Sequence, residues 1–330
     1  QNRRILPWRE DPQPYFVWVS EIMLQQTRVE AVIPYFYRFM EALPTVEDLA
    51  AANEETLLKL WEGLGYYRRV RNLQKAAQKI MKEYDGMLPD TVEQLKQLPG
   101  IGDYTAGAIA SIAFSRPVPA VDGNVMRVAS RVAEFYQEID SPTAKRQVTQ
   151  ALVDIYPIRQ SGDFTQSLMD LGAMVCVPNG APKCLECPLQ QLCLAHLRGS
   201  VDELPIRTPK RKRRQENRTV FLMTCDERTA VCKRPSVGLL ADLWELPNTD
   251  GHLVFKEAQI HLKQWNLGTM QLTAGANARH IFTHVQWDMK VYHVACTRMD
   301  TAFVWAAPED LEQTYALPTA FKQILDRRNK

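Results

Sequence analysis

The chain reads as a multidomain protein, all-α up to about residue 198 and α+β from about residue 218. Three observations predict this. Apolar residues recur at helical spacing in the first half, as Ile22, Met23, Val29, Val32 and Ile33 do, and Thr45 to Tyr84 is amphipathic apart from the interruption WEGLGYYRRVRNL. Four of the seven cysteines crowd between positions 176 and 193. After the basic run RTPKRKRRQENR, from Arg207 to Arg218, the pattern changes to short β-rich runs, TVFLMTC, AVCKRPSV and GLLADLWELPN. A helix is expected at about Lys256 to Gln264 and further strands around His280 and Val291. With 330 residues the chain is long enough for two domains, each with its own core.

The net charge of +2 is too small to announce a nucleic-acid partner, so such a partner has to be argued from where the charges lie. No run of about 18 apolar residues is present and no basic, apolar leader precedes the first motif, the pattern of a soluble intracellular protein without a membrane partner. The chain opens at Gln1 without a methionine and enters a motif almost at once, so a short N-terminal piece, part of a first helix, is expected to be missing. An odd number of cysteines, four of them clustered, argues against an extracellular disulfide framework and for a metal site.

Leu6, Pro7, Trp8 and Arg9 precede a proline-rich turn, after which SEIMLQQTRVEAVIPYFYRFM reads as one helix. On it Glu21 and Gln25 share a face, with Gln26 about a third of a turn away. Taken alone, Glu21 reads first as a first-turn carboxylate that stabilises a helix start. In WEGLGYYRRVRNL, Tyr66 and Tyr67 beside Arg68, Arg69 and Arg71 suit a surface that stacks on bases and neutralises phosphates, or else a core tyrosine beside a solvated face.

The stretch from Leu98 to Asp122 joins a glycine turn to a small-residue helix and ends on a carboxylate. Gly100 and Gly102 permit positive φ and close approach of a ligand, and Asp103 or Thr105 is the expected helix cap. A helix start of this kind binds a phosphate through backbone N–H groups without reading base sequence, although glycine spacing alone favours a plain interhelical turn. Arg127 and Arg131 read as solvated. Cys176, Cys184, Cys187 and Cys193 are separated by seven, two and five residues, and four thiolates suit either an iron-sulfur cluster or a zinc ion. The basic run at 207–218 reads as a linker, of disordered solubilising charge or in contact with DNA.

Together these motifs resemble a known family. LPGIG, the small-residue helix and VDGNVMRV resemble the helix-hairpin-helix and Gly/Pro...Asp element of the DNA glycosylase superfamily. LPWR with EIMLQQT and GLGYY is similar to the MutY-type adenine DNA glycosylases, and RHIFTHVQW and YALPTAF extend the likeness to the chain end. The β-rich half resembles a Nudix domain without the glutamate-rich REXXEE box, which speaks against nucleotide pyrophosphohydrolysis because the magnesium-holding carboxylates are missing.

The resemblance implies an all-α helix-hairpin-helix glycosylase domain over 1–198, with a six-helix barrel module at about 8–115 and an iron-sulfur cluster module from 1–7 and 116–198. A basic linker at 199–217 and an α+β Nudix-like domain at 218–330 would follow. It implies base excision repair by a monofunctional enzyme that flips adenine, mispaired with 8-oxoguanine or guanine, out of double-stranded DNA. Glu21 maps onto the family's general acid and Asp122 onto the carboxylate beside the sugar, with Asn124 orienting Asp122. Tyr104 stands where bifunctional members carry a lysine, and a neutral phenol forms no Schiff base. Leu6, Trp8 and Arg9 are expected near the extruded base, Gln25, Gln26 and Thr27 at the DNA stack, Leu64 and Tyr66 in a wedge, and Leu98, Gly100 and Gly102 at the backbone. Gln166 fits the adenine-pocket pattern, whereas Thr165 stands where asparagine is expected.

Phe282, Thr283 and His284, which alone would read as strand packing, map onto the loop that recognises 8-oxoguanine. The four cysteines are expected to hold a [4Fe-4S] cluster in preference to zinc, with Lys183 able to face phosphate and one extra residue, relative to the family, between Cys176 and Cys184. The family further implies a monovalent or divalent cation at the hairpin, a monomer, and a cytoplasmic, bacterial-type, nucleoid-associated location. An endonuclease III-like glycosylase/lyase and a non-catalytic lesion-binding protein are the alternatives. Tyr104 and the C-terminal half speak against the first, and the Glu21 and Asp122 pair against the second.

Overall fold

A computed structural model describes residues 3–209 and 212–328. They fall into two compact units, Gln1–Ala52 with Arg68–Lys210, and Asn53–Tyr67 with Arg211–Lys330. Gln1, Asn2, Lys210, Arg211, Asn329 and Lys330, which the expected domain ranges and linker include, lie outside the described residues.

The first unit is helical. Pro14 opens the helix Pro14–Leu24, where its missing N–H costs nothing, and Trp18, Val19 and Met23 on that helix are fully buried. The single helix expected from Ser20 onward is in fact two, Pro14–Leu24 and Val29–Ala42, because the chain breaks at Gln25–Arg28 with Gln26 at φ +59°. The Arg69 guanidinium accounts for the break. Its Nη1 donates to the carbonyls of Ile22, Met23 and Gln25 at 2.9, 2.9 and 2.7 Å, replacing the helical bonds that would have continued. Thr45 and Asp48 form a reciprocal capping box that starts Val46–Ala51.

The helix Asp103–Phe114 is capped by Gly102 in an extended conformation, with no side-chain cap, and neither Asp103 nor Thr105 takes that position. Asp103 is instead the first helical residue and pairs with Lys96 at 2.6 Å. Gly100 has φ +83°, the conformation anticipated from the turn. Within the helix the small residues let the backbone segment before Asp122 approach, and a Cβ on Gly107 would stand 2.3 Å from the Pro119 carbonyl oxygen. A core of Ala108, Ala120, Val121, Val125, Met126, Val148 and Leu152 then holds the helices Gly123–Val132 and Pro142–Val153 together. Among the described residues no helix is long and apolar enough to cross a membrane.

The second unit is built on a mixed sheet of β1 (Arg214–Cys225), β2 (Arg228–Lys233), β3 (Trp244–Glu245), β4 (Asn248–Asp250), β5 (Met270–Ala274), β6 (Ala278–Ile281), β7 (Val285–Cys296) and β8 (Val304–Ala306). The order is β3-β2-β1-β7-β5, with β4 on β1, β6 on β7 and β8 on β2. β1 and β7 run parallel from Arg214 opposite Val285 to Thr224 opposite Ala295, and every other pairing is antiparallel. Side chains alternate across the sheet, so Leu222, Trp287, Met289 and Val291 pack with Phe321 and Ile324 on one face. Phe221, Met223, Tyr292 and Val294 pack with Ala258 and Leu262 of the helix Phe255–Leu262 on the other.

Two stretches differ from the expected boundaries. Arg214 to Asn217, read as linker, already pair as strand with β7, while Leu204 and Ile206 are fastened to Arg131 and Ile139 of the first unit by backbone carbonyl bonds of 3.0 Å each. Residues 53–67, expected within the helical domain, cluster with the second unit.

The glycines give a test of this packing. Gly107→Ala forces backbone to move and is expected to destabilise the chain by roughly 2 kcal/mol or more. Gly102→Ala meets nothing within 4 Å and is expected to lie within about 0.5 kcal/mol of wild type. Urea denaturation midpoints of the two variants measure the contrast.

Candidate active site

A cleft of about 640 Å³ in the first unit is lined by Leu6, Trp8, Arg9, Glu21, Gln25, Gln26, Thr27, Gly102, Tyr104, Asp122, Asn124 and Gln166, among others. Most of the residues singled out from the sequence thus come together. Glu21, in the last turns of Pro14–Leu24, is 5% exposed, and the Tyr104 hydroxyl donates to its Oε2 at 2.5 Å. Burial pushes the Glu21 carboxyl up to about 7; the Tyr104 hydrogen bond and the Arg9 charge pull it down, and the Asp122 charge adds to the rise. Burial likewise holds the Tyr104 phenol well above its ordinary range, with the charges of Glu21 and Asp122 acting in the same direction. Tyr104 is therefore a fixed neutral donor.

Asp122 is the N-cap of Gly123–Val132. Its Oδ1 accepts from the Val125 N–H at 2.7 Å and its Oδ2 from the Asn124 amide at 2.8 Å. Asn124 is held in turn by Arg127, whose Nη2 donates to Asn124 Oδ1 at 2.9 Å and to the Gly172 carbonyl at 2.5 Å, while its Nε donates to the Cys176 carbonyl at 2.7 Å. Arg131 donates to the Leu204 carbonyl and lies 3.2 Å from Cys176 Sγ. Arg127 and Arg131 are thus buried and fully engaged, the opposite of the solvated reading. Helical spacing alone could not separate the two cases, because their partners lie far along the chain.

Arg9 reaches the cleft but is locked in a two-bond pair with Asp170, at 2.7 and 3.0 Å, which Arg4 joins through its Nε at 2.6 Å. Burial works against the Asp170 charge, yet Arg9 and Arg4 keep its carboxyl below the usual range. Nothing in the sequence signalled Asp170. Trp8 is buried against the edge of Phe36, 5.3 Å between ring centres. Thr165 does not face the cleft; its hydroxyl bonds Ser111, the Ser161 carbonyl and Tyr156 in the interior. Gln166 does face it, and its Oε1 is buried without a hydrogen-bond partner.

Other expected contacts fall elsewhere. Leu98 and Leu64 are buried, so a hairpin contact with a DNA backbone is left to main-chain N–H groups at the uncapped start of Asp103–Phe114. Tyr67 is buried while Tyr66 is 46% exposed, and Arg69 turns inward onto carbonyls instead of out to phosphate. In the second unit Thr283 and His284 are exposed in the β6–β7 turn, closed by the Phe282 N–H on the Val285 carbonyl at 2.8 Å. Phe282 is a packing residue, edge-on to Trp287 at 4.9 Å.

Cys176, Cys184, Cys187 and Cys193 line one further cavity of the first unit, with Arg131 and His196. Burial raises the Cys184 thiol, and the charges of the other three sulfurs add to the rise. Among the described residues no group of three or more His, Cys, Asp or Glu side chains is arranged to hold a metal ion.

Residues 19–155 match the HhH-GPD superfamily of base excision DNA repair proteins, and residues 219–327 match a NUDIX domain. The adenine DNA glycosylase of Rattus norvegicus is 35% identical over 98% of this chain and 75% of its own length. The chain belongs to the adenine DNA glycosylase family. Solved glycosylases share the fold of this family's helical part. A thermostable thymine-DNA glycosylase superposes with a TM-score of 0.54 at 27% identity, over 60% of this chain and 91% of its own. Endonuclease III in a non-covalent DNA complex superposes with 0.50 at 27% identity, over 57% and 86%. The helix-hairpin-helix fold with a Nudix-like second domain expected from the sequence is therefore the family's fold.

Since the Tyr104 hydrogen bond lowers the Glu21 pKa, Tyr104→Phe is expected to raise it further above that of the wild type. A carbon-13 NMR titration of labelled glutamate reads this directly, and a downward shift contradicts the assignment of Tyr104 as donor.

Proposed function

We propose that this protein removes adenine from double-stranded DNA, above all adenine opposite 8-oxoguanine, as a monofunctional base-excision-repair glycosylase. The observation that carries the reading is one cleft holding two carboxyl groups with opposite environments, a buried Glu21 pushed up to about 7 and an Asp122 fixed by two hydrogen-bond donors. Cleavage of an N-glycosidic bond needs a proton on the leaving base and a negative charge beside an oxocarbenium-like sugar.

A base inside a duplex is out of reach, so the adenine must be extruded at a cost of a few kcal/mol. The exposed Gln26 and Tyr66 are suited to enter the stack, and the uncapped N-terminus of Asp103–Phe114 to hold a phosphate. In the cleft the partnerless Gln166 Oε1 is an acceptor for an exocyclic amino group, the group that separates adenine from a 6-oxo purine. Protonated Glu21 donates to the ring of the departing base, and the Tyr104 hydrogen bond keeps the carboxyl aimed. Asp122, oriented by Asn124 and the Val125 N–H, stabilises the sugar cation or adds to it briefly before water attacks.

Tyr104 in the place of a nucleophilic lysine supports base removal without strand cleavage, although Lys145 also lines the cleft. Thr283 and His284, exposed in their turn, are the groups assigned to 8-oxoguanine, with Phe282 anchoring the turn. The four thiols around one cavity, with the Arg131 cation against Cys176, fit an anionic cysteine-ligated [4Fe-4S] cluster. Such a cluster would supply a fold-stabilising cross-link at the loop from which the Cys176 carbonyl holds Arg127.

Glu21→Gln removes the proton donor and leaves the cleft's shape, so excision is expected to fall by on the order of 10²-fold or more while binding of the mispair is kept. Because the acid form of Glu21 is the active one, the wild-type single-turnover rate is expected to decline as pH rises through about 7. A variant that still turns over, or a rate that climbs across that range, contradicts the assignment.

A further inference from the structure

The segment Asn53–Tyr67 sits in sequence among the helices of the first unit, yet clusters with residues 211–330. A largely enclosed ion pair fastens it to that unit. Lys59 and Glu62, 14% and 8% exposed, lie 2.8 Å apart at the end of the helix Glu54–Leu60. Lys59 Nζ donates to the carbonyls of Leu311 and Tyr315 at 2.9 and 3.2 Å. Glu62 Oε1 accepts from the Leu317 N–H at 3.0 Å, and Lys322 approaches its Oε2 at 3.4 Å. Each charge is thus fastened to main chain between 311 and 317. A pair satisfied in this way contributes little net stability but specifies one geometry.

The turn after the pair is equally constrained. The Trp61 indole donates to the Gly65 carbonyl at 3.1 Å and the Gly63 N–H to the Tyr67 hydroxyl at 3.4 Å. Gly63, Gly65 and Tyr66 all have positive φ, at 101°, 68° and 47°. This turn presents Tyr66 to solvent with its hydroxyl in hydrogen-bond contact with the hydroxyl of Thr283. The residue expected to wedge into DNA and the residue expected to read the lesion therefore stand together within one unit.

We propose that Lys59 and Glu62 are positioning residues for recognition of 8-oxoguanine. They touch no DNA themselves but fix Tyr66 against Thr283, so that both act on one base at a set separation. This rests on the roles given to Tyr66 and Thr283 above. Misplacement by an ångström or so costs a recognition site on the order of 10- to 100-fold.

The test is single-turnover excision of adenine opposite 8-oxoguanine and opposite guanine by the full chain. For Glu62→Ala and Lys59→Met the rate opposite 8-oxoguanine is expected to fall about tenfold or more, and that opposite guanine less than about twofold. A loss of general stability lowers both alike. Glu62→Gln, whose amide oxygen still accepts from the Leu317 N–H, is expected to restore most of the preference. In a Thr283→Ala background, Glu62→Ala is expected to remove no further preference, because its effect runs through that contact. Unchanged preference in all these variants, or additive losses with Thr283→Ala, overturns the proposal. A wild-type chain that excises adenine equally from both duplexes overturns the lesion-reading assignment first, and the positioning role with it.

Discussion

The chemistry proposed for this protein depends on keeping one carboxyl group out of water beside another that stays hydrogen-bonded. Glu21 is buried because the helix that carries it is apolar on nearly every side, with Trp18, Val19, Ile22 and Met23 all enclosed. That environment disfavours the charged form, and the nearby Asp122 disfavours it further, so the group is poised to be an acid near neutral pH. Tyr104 opposes the shift in part, and its hydrogen bond holds the carboxyl in place while the phenol itself stays neutral.

The second carboxylate is held from the other direction. Asp122 caps its own helix, Asn124 bridges it to Arg127, and Arg127 ends on the carbonyls of Gly172 and Cys176. A Cβ on Gly172 would stand 2.6 Å from Asn124 Cβ, so the turn before the cysteines and the start of the Asp122 helix are in direct contact. The thiol-lined loop and the cleft are thus mechanically continuous. Small residues let the segments on either side of Asp122 pack closely, Gly107 against Pro119 and Gly172 against Asn124, where larger side chains have no room.

Much of the fold was legible in the sequence because its signals are local. Helical periodicity, the glycine turn at Leu98–Gly102 and the change to β-rich runs after the basic segment each survive in the structure. The resemblance carried by EIMLQQT, LPGIG, VDGNV and FTHV supplied roles that spacing could not. Signals that depend on distant partners were invisible. The break at Gln25–Arg28 follows from Arg69, more than forty residues on, the locking of Arg9 from Asp170, and the burial of Arg127 and Arg131 from carbonyls beyond residue 170. The membership of 53–67 in the second unit is of the same kind, since Lys59 and Glu62 find their partners after residue 310.

The most direct measurement of the central claim is product analysis after single-turnover reaction of the purified chain with a duplex carrying adenine opposite 8-oxoguanine. A thymine glycol duplex is run beside it, and each is resolved with and without alkali. The expected result is loss of adenine that appears as strand breaks only after alkali, since Tyr104 offers no amine to the sugar. Excision of the oxidised pyrimidine with breaks before alkali would contradict the claim, as would tight binding of the 8-oxoguanine duplex with no base released.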